Sequence, residues 1–371
     1  MYAARLAMAL RQRADVQLFG MGGPQMRAAG VKTVVDYSEV SVLGITEVLQ
    51  KLPSLRRAMR RLVDEAQRRR PPLAILTDFP GFHLRLARKL SPLGIRNIYY
   101  ICPQFWAWRP WRANLVRRRF AQALCIFPFE EKFYRDAGVA VEFIGHPLVG
   151  NVKASQSRAE FCAENGLNAE KPIVTILPGS RRGEIEYHAA ILAQALTQLR
   201  RAIPEVQAVV AVAPGVGRTE LEACFNSGNE VRFVTGATYN ALGAADLAIV
   251  SSGTATVEAA LLGKPMIVIY RLSPLTAKLA KPLVRTKFFS MVNLIAGRQV
   301  VPELIQEDFT PERVASEALS LLSASKENLE KLALIRRGLA DVTRLLGPPG
   351  AVERAADAIV AQLRLTQSNA K

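Results

Sequence analysis

Short β-branched or apolar runs alternate along the chain with longer stretches whose apolar positions recur every three or four residues. In the first half the short runs predict strands at Val16–Phe19, Thr33–Val35, Leu73–Thr77, Asn97–Ile101, Leu124–Phe127 and Glu142–Ile144. In the second half they predict strands at Ile173–Leu177, Ala208–Val212, Arg232–Val234, Leu247–Val250 and Met266–Tyr270. Several runs are apolar throughout rather than alternating, the pattern of parallel strands covered on both faces. Helical stretches such as Tyr187–Ala202 and Thr256–Leu262 lie between them, so the chain reads as repeated βα units. The expected class is α/β, with two Rossmann-like doubly wound domains facing a cleft. A polar segment near Asn151–Gln156 separates a first domain over 1–150 from a second over 151–345. A C-terminal helix over 346–371 then packs back on the first domain or on a partner chain. The chain opens directly in a helical pattern, Tyr2–Arg11, with no strand before it. A doubly wound domain ordinarily starts from a central strand and a glycine-rich turn. The expectation is therefore a first domain without that strand.

Composition narrows the class. Half of the 371 residues are hydrophobic and 22% are charged, which excludes a disordered chain and suits two domains of ordinary size. Four cysteines lie far apart with no C-x-x-C pair, and the three histidines have no H-x-x-x-H spacing. Neither a disulfide framework nor a metal site is expected. No apolar run reaches the roughly 18–20 residues that cross a bilayer, and Arg5 interrupts the early apolar stretch. Forty-nine basic against 32 acidic side chains give a net charge of +17. Clusters at Arg56, Arg57, Arg60 and Arg61, at Arg68–Arg70 and at Arg117–Arg119 carry much of it. That excess suits a phosphate backbone, an anionic membrane surface or a solvated helix face. No helix-turn-helix, RNP or zinc-finger signature accompanies it, so nucleic acid is the weakest of the three.

Four segments carry candidate chemistry. Leu177-Pro-Gly-Ser-Arg-Arg-Gly-Glu184 follows a predicted strand and opens a helix, so Ser180 and the Arg181 guanidinium face a helix N-terminus suited to phosphate. Ser252-Gly-Thr254 repeats the strand–loop–helix arrangement with small residues, and Glu258 in that helix is placed either for ribose hydroxyls or as a dipole partner. Asp78 lies at the carboxyl end of the strand Leu73–Thr77, as a general base or as a helix cap. Finally, Ile45, Val48, Leu49 and Leu52 recur at helical spacing ahead of Arg56–Arg61, as a core face or as a membrane-resting patch.

Taken in order, several strings resemble the lipid-A-disaccharide synthase family of GT-B glycosyltransferases. They are Gly22-Gly-Pro-Gln-Met26, Leu43-Gly-Ile-Thr-Glu47, Pro103-Gln-Phe-Trp-Ala-Trp-Arg109, Phe127-Pro-Phe-Glu130, Phe143-Ile-Gly-His-Pro147, Leu177-Pro-Gly-Ser-Arg181, Ser251-Ser-Gly-Thr-Ala255 and Asn293-Leu-Ile-Ala-Gly-Arg298. The resemblance implies transfer of a 2,3-diacylglucosamine unit from its UDP donor to 2,3-diacylglucosamine 1-phosphate, giving a β-1,6 disaccharide and UDP. It implies Asp78 as base, Arg181 and Asn293 on the donor side in the second domain, and the acceptor on the first. It also implies no cofactor, an anionic membrane surface as partner, a cytoplasmic location on the inner face of the inner membrane, and a homodimer as one assembly. Two departures stand out. The family's opening strand and G-E-x-S-G-D loop have no counterpart here. Its D-x-P-D-F-N string reads Asp78-Phe-Pro-Gly-Phe-His83, with Gly81 for the second carboxylate and His83 for the amide. A UDP-N-acetylglucosamine 2-epimerase is the alternative enzyme reading, on the same architecture.

Overall fold

Continuous apolar strands need cover on both faces, and in this chain helices supply it in two separate places. The computed structural model describes residues 1–40, 52–225, 231–273, 276–278 and 286–368. It divides into two compact units, Met1–Pro147 with Leu346–Lys371, and Leu148–Leu345.

The first unit contains β1 (Phe19–Gly22), β2 (Lys32–Asp36), β3 (Leu73–Thr77), β4 (Arg96–Tyr100), β5 (Gln122–Cys125) and β6 (Val141–Phe143). Its strands form two separate parallel sheets, β1-β2 and β3-β4-β5-β6. Three helices matter below: α1 (Tyr2–Arg13), α2 (Leu52–Arg69) and α3 (Pro80–Leu90). Buried Leu62, Phe82, Leu86, Tyr99, Phe105 and Tyr134 share its main core. Helix Ala351–Ser368 returns to this unit, packs on α1 and ties to it through Arg13 and Asp357 at 2.6 Å. The Phe143-Ile-Gly-His146 string explains how that return is received. Gly145 has φ +79°, and a side chain there would strike the Arg354 guanidinium. The His146 N–H donates to the Leu346 carbonyl at 2.9 Å, and Arg354 Nε donates to the Ile144 carbonyl at 2.9 Å.

The second unit holds β7 (Ile173–Leu177), β8 (Gln207–Val212), β9 (Val231–Thr235), β10 (Leu247–Ser251), β11 (Met266–Tyr270) and β12 (Glu303–Ile305). They make one continuous parallel sheet ordered β12-β11-β10-β7-β8-β9. Helices α4 (Arg182–Ala202) and α5 (Thr254–Leu261) follow β7 and β10.

The doubly wound α/β expectation holds, with local corrections. The strand expected at Val16–Phe19 forms at Phe19–Gly22, because its pairing with β2 runs through the Gly-Met-Gly backbone rather than the apolar residues ahead of it. β12 was not expected: it is three residues long and only Leu304 is buried, too little to leave a pattern. Ile45, Val48 and Leu49 lie outside the described residues, while Leu52 opens α2 half-buried. No helix among the described residues is long and apolar enough to cross a membrane.

Candidate functional site

The four-stranded and the six-stranded sheet each carry candidate residues at the carboxyl ends of neighbouring strands, where parallel sheets bind ligands. In the first unit the register sets Thr77 of β3 beside Tyr100 of β4, so the loops beginning at Asp78 and Ile101 leave the sheet side by side. Both loops are strained. Asp78, Phe79 and Ile101 have φ of 54°, 44° and 64°, the left-handed region that costs non-glycine residues about 1–3 kcal/mol each. For the β-branched Ile101 this is a genuine outlier.

The turn is held from inside by its own backbone. The Asp78 carbonyl accepts from the Tyr99 hydroxyl at 3.0 Å and from His83 Nδ1 at 2.7 Å. His83 is buried, and burial lowers its pKa, so the ring is neutral with its proton on Nδ1. The Asp78 side chain is left exposed. The substituted residues of this string therefore have distinct places: His83 braces the Asp78 carbonyl, and Gly81 has open space where a side chain would stand.

Beside β4 and β5, the Pro103–Arg109 string is pinned by Glu130. Its carboxyl accepts from Trp106 Nε1 at 3.0 Å and from the Phe127 N–H at 3.4 Å. Complete burial pushes the Glu130 pKa up to about 8. Trp108 and Trp111 remain exposed, with the Arg109 guanidinium over the Trp108 ring at 4.4 Å and Arg112 over Trp111 at 5.5 Å.

In the second unit β7 leads to β8 and β9 on one side, while β10 leads to β11 and β12 on the other. The point where strand order reverses thus falls between β7 and β10. Leu177 pairs with Val250, so Pro178-Gly-Ser-Arg181 and Ser252-Gly-Thr254 emerge as neighbours. Gly179 (φ +135°) lies so close to Glu184 that a side chain would overlap its carboxylate. That carboxylate accepts from the N–H groups of Ser180 at 2.9 Å and Arg181 at 3.3 Å. The backbone donors expected to face a phosphate are thus already engaged by the protein. The Arg181 side chain is 72% exposed and lies 3.4 Å from Glu184.

The other loop has a different arrangement. Gly253 (φ +151°) opens α5 with no side-chain cap and open space beside it, and Thr254 is exposed. The hydroxyl of Ser252 donates to the Phe289 carbonyl at 2.7 Å. Ser251 is buried, and its hydroxyl has no hydrogen-bond partner in the protein. Glu258 accepts from Tyr239 at 2.9 Å, and burial raises its pKa.

Asn293 does not share this exposure. It is fully buried: its amide nitrogen donates to the Val301 carbonyl at 2.9 Å and to Glu303 at 2.7 Å. Its oxygen accepts from the N–H groups of Val300 at 2.7 Å and Val301 at 3.0 Å. Glu303 in turn holds the N–H groups of Phe289 and Ser290, both at 2.9 Å. Among the described residues Asn293 is joined to the Ser252 loop through Glu303 and Phe289.

Two positioning residues escaped sequence reasoning. His188 on α4 donates from Nδ1 to the Pro178 carbonyl at 2.7 Å and accepts at Nε2 from the Arg271 N–H at 3.0 Å, joining the ends of β7 and β11. Burial lowers its pKa and keeps it neutral. No spacing rule points to it. Glu184 had a signal, because an acidic residue three positions into a helix reaches back to its start. Among the described residues no three His, Cys, Asp or Glu side chains are grouped as metal ligands.

Comparison with known proteins places these features. The family described as lipid-A-disaccharide synthetase matches residues 1–343. A lipid-A-disaccharide synthase from Solibacter usitatus (strain Ellin6076) is 45% identical over 364 residues, covering 97% of this chain and 93% of its own. Among solved structures, a putative UDP-N-acetylglucosamine 2-epimerase from Listeria monocytogenes aligns with TM-score 0.62 at 12% identity, over 96% of this chain and 90% of its own. CalG4, the calicheamicin glycosyltransferase, aligns with TM-score 0.57 at 15% identity, over 97% and 94%. An epimerase and a transferase share this fold, so the fold alone does not separate them.

Proposed function

Because the chain belongs to the lipid-A-disaccharide synthase family and is therefore a glycosyltransferase of lipid A disaccharide synthesis, we propose how its residues divide that work. The reaction joins a UDP-sugar donor to a sugar acceptor. In the proposed division the second unit holds UDP-2,3-diacylglucosamine and the first holds 2,3-diacylglucosamine 1-phosphate. Asp78 takes the proton of the acceptor hydroxyl as its oxygen attacks the anomeric carbon from the face opposite UDP. The diphosphate leaves with its negative charge against the Arg181 guanidinium and the uncapped start of α5 at Gly253–Thr254, donors already in place before charge develops. Ser180 lines the first loop, and Glu258 serves the ribose hydroxyls. Ser252 shapes the second loop, and Asn293 positions it through Glu303.

One observation carries this reading: an exposed carboxylate on two consecutive left-handed residues at the carboxyl end of β3. Strained backbone clusters at active sites, which supports a chemical role for this turn. General-base assistance supplies about 10²–10⁴-fold in rate, so Asp78→Asn is expected to lose at least ~100-fold in disaccharide formation while melting as the parent does. Full activity in the folded variant would remove Asp78 from the mechanism.

Both substrates carry acyl chains, and we place the enzyme on the cytoplasmic face of an anionic inner membrane. Exposed Trp111 and Trp108 flanked by Arg109 and Arg112 support that placement, since such rings sit at headgroup level and cations favour anionic lipid. Trp111→Ser should reduce co-sedimentation with phosphatidylglycerol vesicles and leave the melting temperature alone. Undiminished binding would put the membrane contact elsewhere.

A further inference from the structure

The loops that begin at Asp78 and Ile101 leave the carboxyl ends of β3 and β4. A separate hollow lies at the other end of the same sheet, beside the amino ends of β4 and β5. Its volume is about 470 Å³, and Arg96, Asn97, Arg118, Arg119 and Thr366 line it. Arg96 opens β4, Arg118 and Arg119 close the helix Ala113–Arg119 ahead of β5, and Thr366 closes one side from the last helix. All of them belong to the first unit. β4 is five residues long, so at about 3.3 Å per residue roughly 16 Å separates the hollow from the Ile101 loop.

Two features identify what fits. The first is unbalanced charge. Elsewhere in this unit guanidinium groups meet carboxylates, as Arg61 meets Glu39, Arg68 and Arg69 meet Glu65, and Arg135 meets Glu131. No acidic side chain lines the hollow, and the unit's ion pairs among the described residues include none of Arg96, Arg118 and Arg119. Burial and the neighbouring Arg88 and Arg118 charges lower the Arg119 pKa, as for any cation without a counter-charge. The dipole at a helix end accounts for Arg118 and Arg119 but not for Arg96, which stands on a strand. The second feature is an acceptor. The Asn97 amide nitrogen donates to the Ala87 carbonyl at 3.2 Å and the Arg119 carbonyl at 3.0 Å, groups that only accept, so the orientation of the amide is fixed. Its oxygen then has no hydrogen-bond partner in the protein, although the residue is only 2% exposed. A bare anion would answer the arginines and leave that oxygen unpaired.

We propose that this hollow is a second ligand site, which takes a phosphate ester with a free hydroxyl on its alcohol part. The phosphate lies against Arg96, Arg118 and Arg119, and the hydroxyl donates to the Asn97 amide oxygen. Glycerol phosphate has that chemistry, either free in solution or as the headgroup of phosphatidylglycerol. The volume falls within the roughly 300–1,000 Å³ of small-ligand pockets. The inference is independent of the roles given to Asp78 and Arg181, because none of the residues it uses takes part in the proposed transfer.

The test uses the full chain and the double variant Arg96→Gln/Arg118→Gln. Calorimetry with glycerol 3-phosphate should show one site per chain, weakened at least ~tenfold in the variant, while UDP affinity and disaccharide formation stay unchanged. Saturating UDP should not displace the ester. In the parent chain the ester should slow hydrogen exchange in residues 91–97 and 117–122 and leave 177–184 unchanged, a readout that holds even where the variant is destabilised. Inorganic phosphate should bind at least ~tenfold more weakly than the ester, and equal binding would overturn the part given to Asn97. Monomeric dihexanoyl phosphatidylglycerol separates the sources: binding at least as tight as the free ester supports the headgroup, and no binding assigns the site to the free ester. Displacement by UDP, an unaffected double variant, or no binding of any probe would overturn the proposal.

Discussion

β3 and β7 are both five-residue apolar strands followed by loops with candidate chemistry, but the molecule holds the two loops by different means. β7 has neighbours on both sides and every residue buried, and its loop is fixed by side chains: His188 on the Pro178 carbonyl, Glu184 on two amides. Among the described residues β3 has one strand neighbour and one buried residue, and its loop is fixed by strained backbone braced at the Asp78 carbonyl. The difference teaches where each site is vulnerable. Charge can be removed from the Asp78 turn without disturbing its supports, whereas the second unit's loops depend on buried side chains.

Asn293 offers the strongest test of that contrast. Asn293→Ala strands two amides, a carbonyl and the Glu303 carboxylate in the interior, so a loss of at least ~3 kcal/mol in stability is expected. Urea unfolding should show it, with UDP affinity falling in parallel. A variant as stable as the parent would mean that the 289–303 network does not set the loop.

Acid should separate the units next. Burial holds the His146 pKa at about 4 against an ordinary 6.5, so the unfolded chain binds the proton first. The stability owed to the neutral ring is complete above pH 6.5 and is lost as the pH falls toward 4. The shift of 6.5 − 4 = 2.5 limits that loss to about 3 kcal/mol. In His146→Phe the fall in melting temperature between pH 7 and 5 should be shallower. An unchanged slope would show that another group governs acid sensitivity in the first unit.

Arg181→Ala should have the smallest effect on folding. Its guanidinium is 72% exposed where it meets the buried Glu184, and a pair open to water on the cation's side contributes about 0–1 kcal/mol. UDP binding should nevertheless weaken about ten- to hundredfold, from one lost charge-assisted bond. Calorimetry with unchanged affinity would remove Arg181 from the diphosphate.

Legibility in the sequence followed the same division. Ile173–Leu177 and Met266–Tyr270 were bounded correctly because buried parallel strands are apolar end to end. Gly20–Gly22 offered no apolar run, so β1 was misplaced. Asp78 could be set at a strand end by counting residues, but the left-handed turn beneath it has no composition signal. Asn293 stood out as part of a string, whereas its partners lie 7–10 residues away and carry no mark of the contact. His188 binds carbonyl and amide groups brought together only by the fold.

The return of the last helix to the first unit has a consequence in the time domain. Residues 148–345 are synthesised between the two parts of that unit. At about 5–20 residues per second on the ribosome, roughly 200 residues impose a wait of about 10–40 s. During that interval Gly145 and His146 are on the nascent chain while Leu346 and Arg354 are not yet made. The second unit is contiguous and can fold as soon as it emerges, so the part of the protein translated first is the last to be finished.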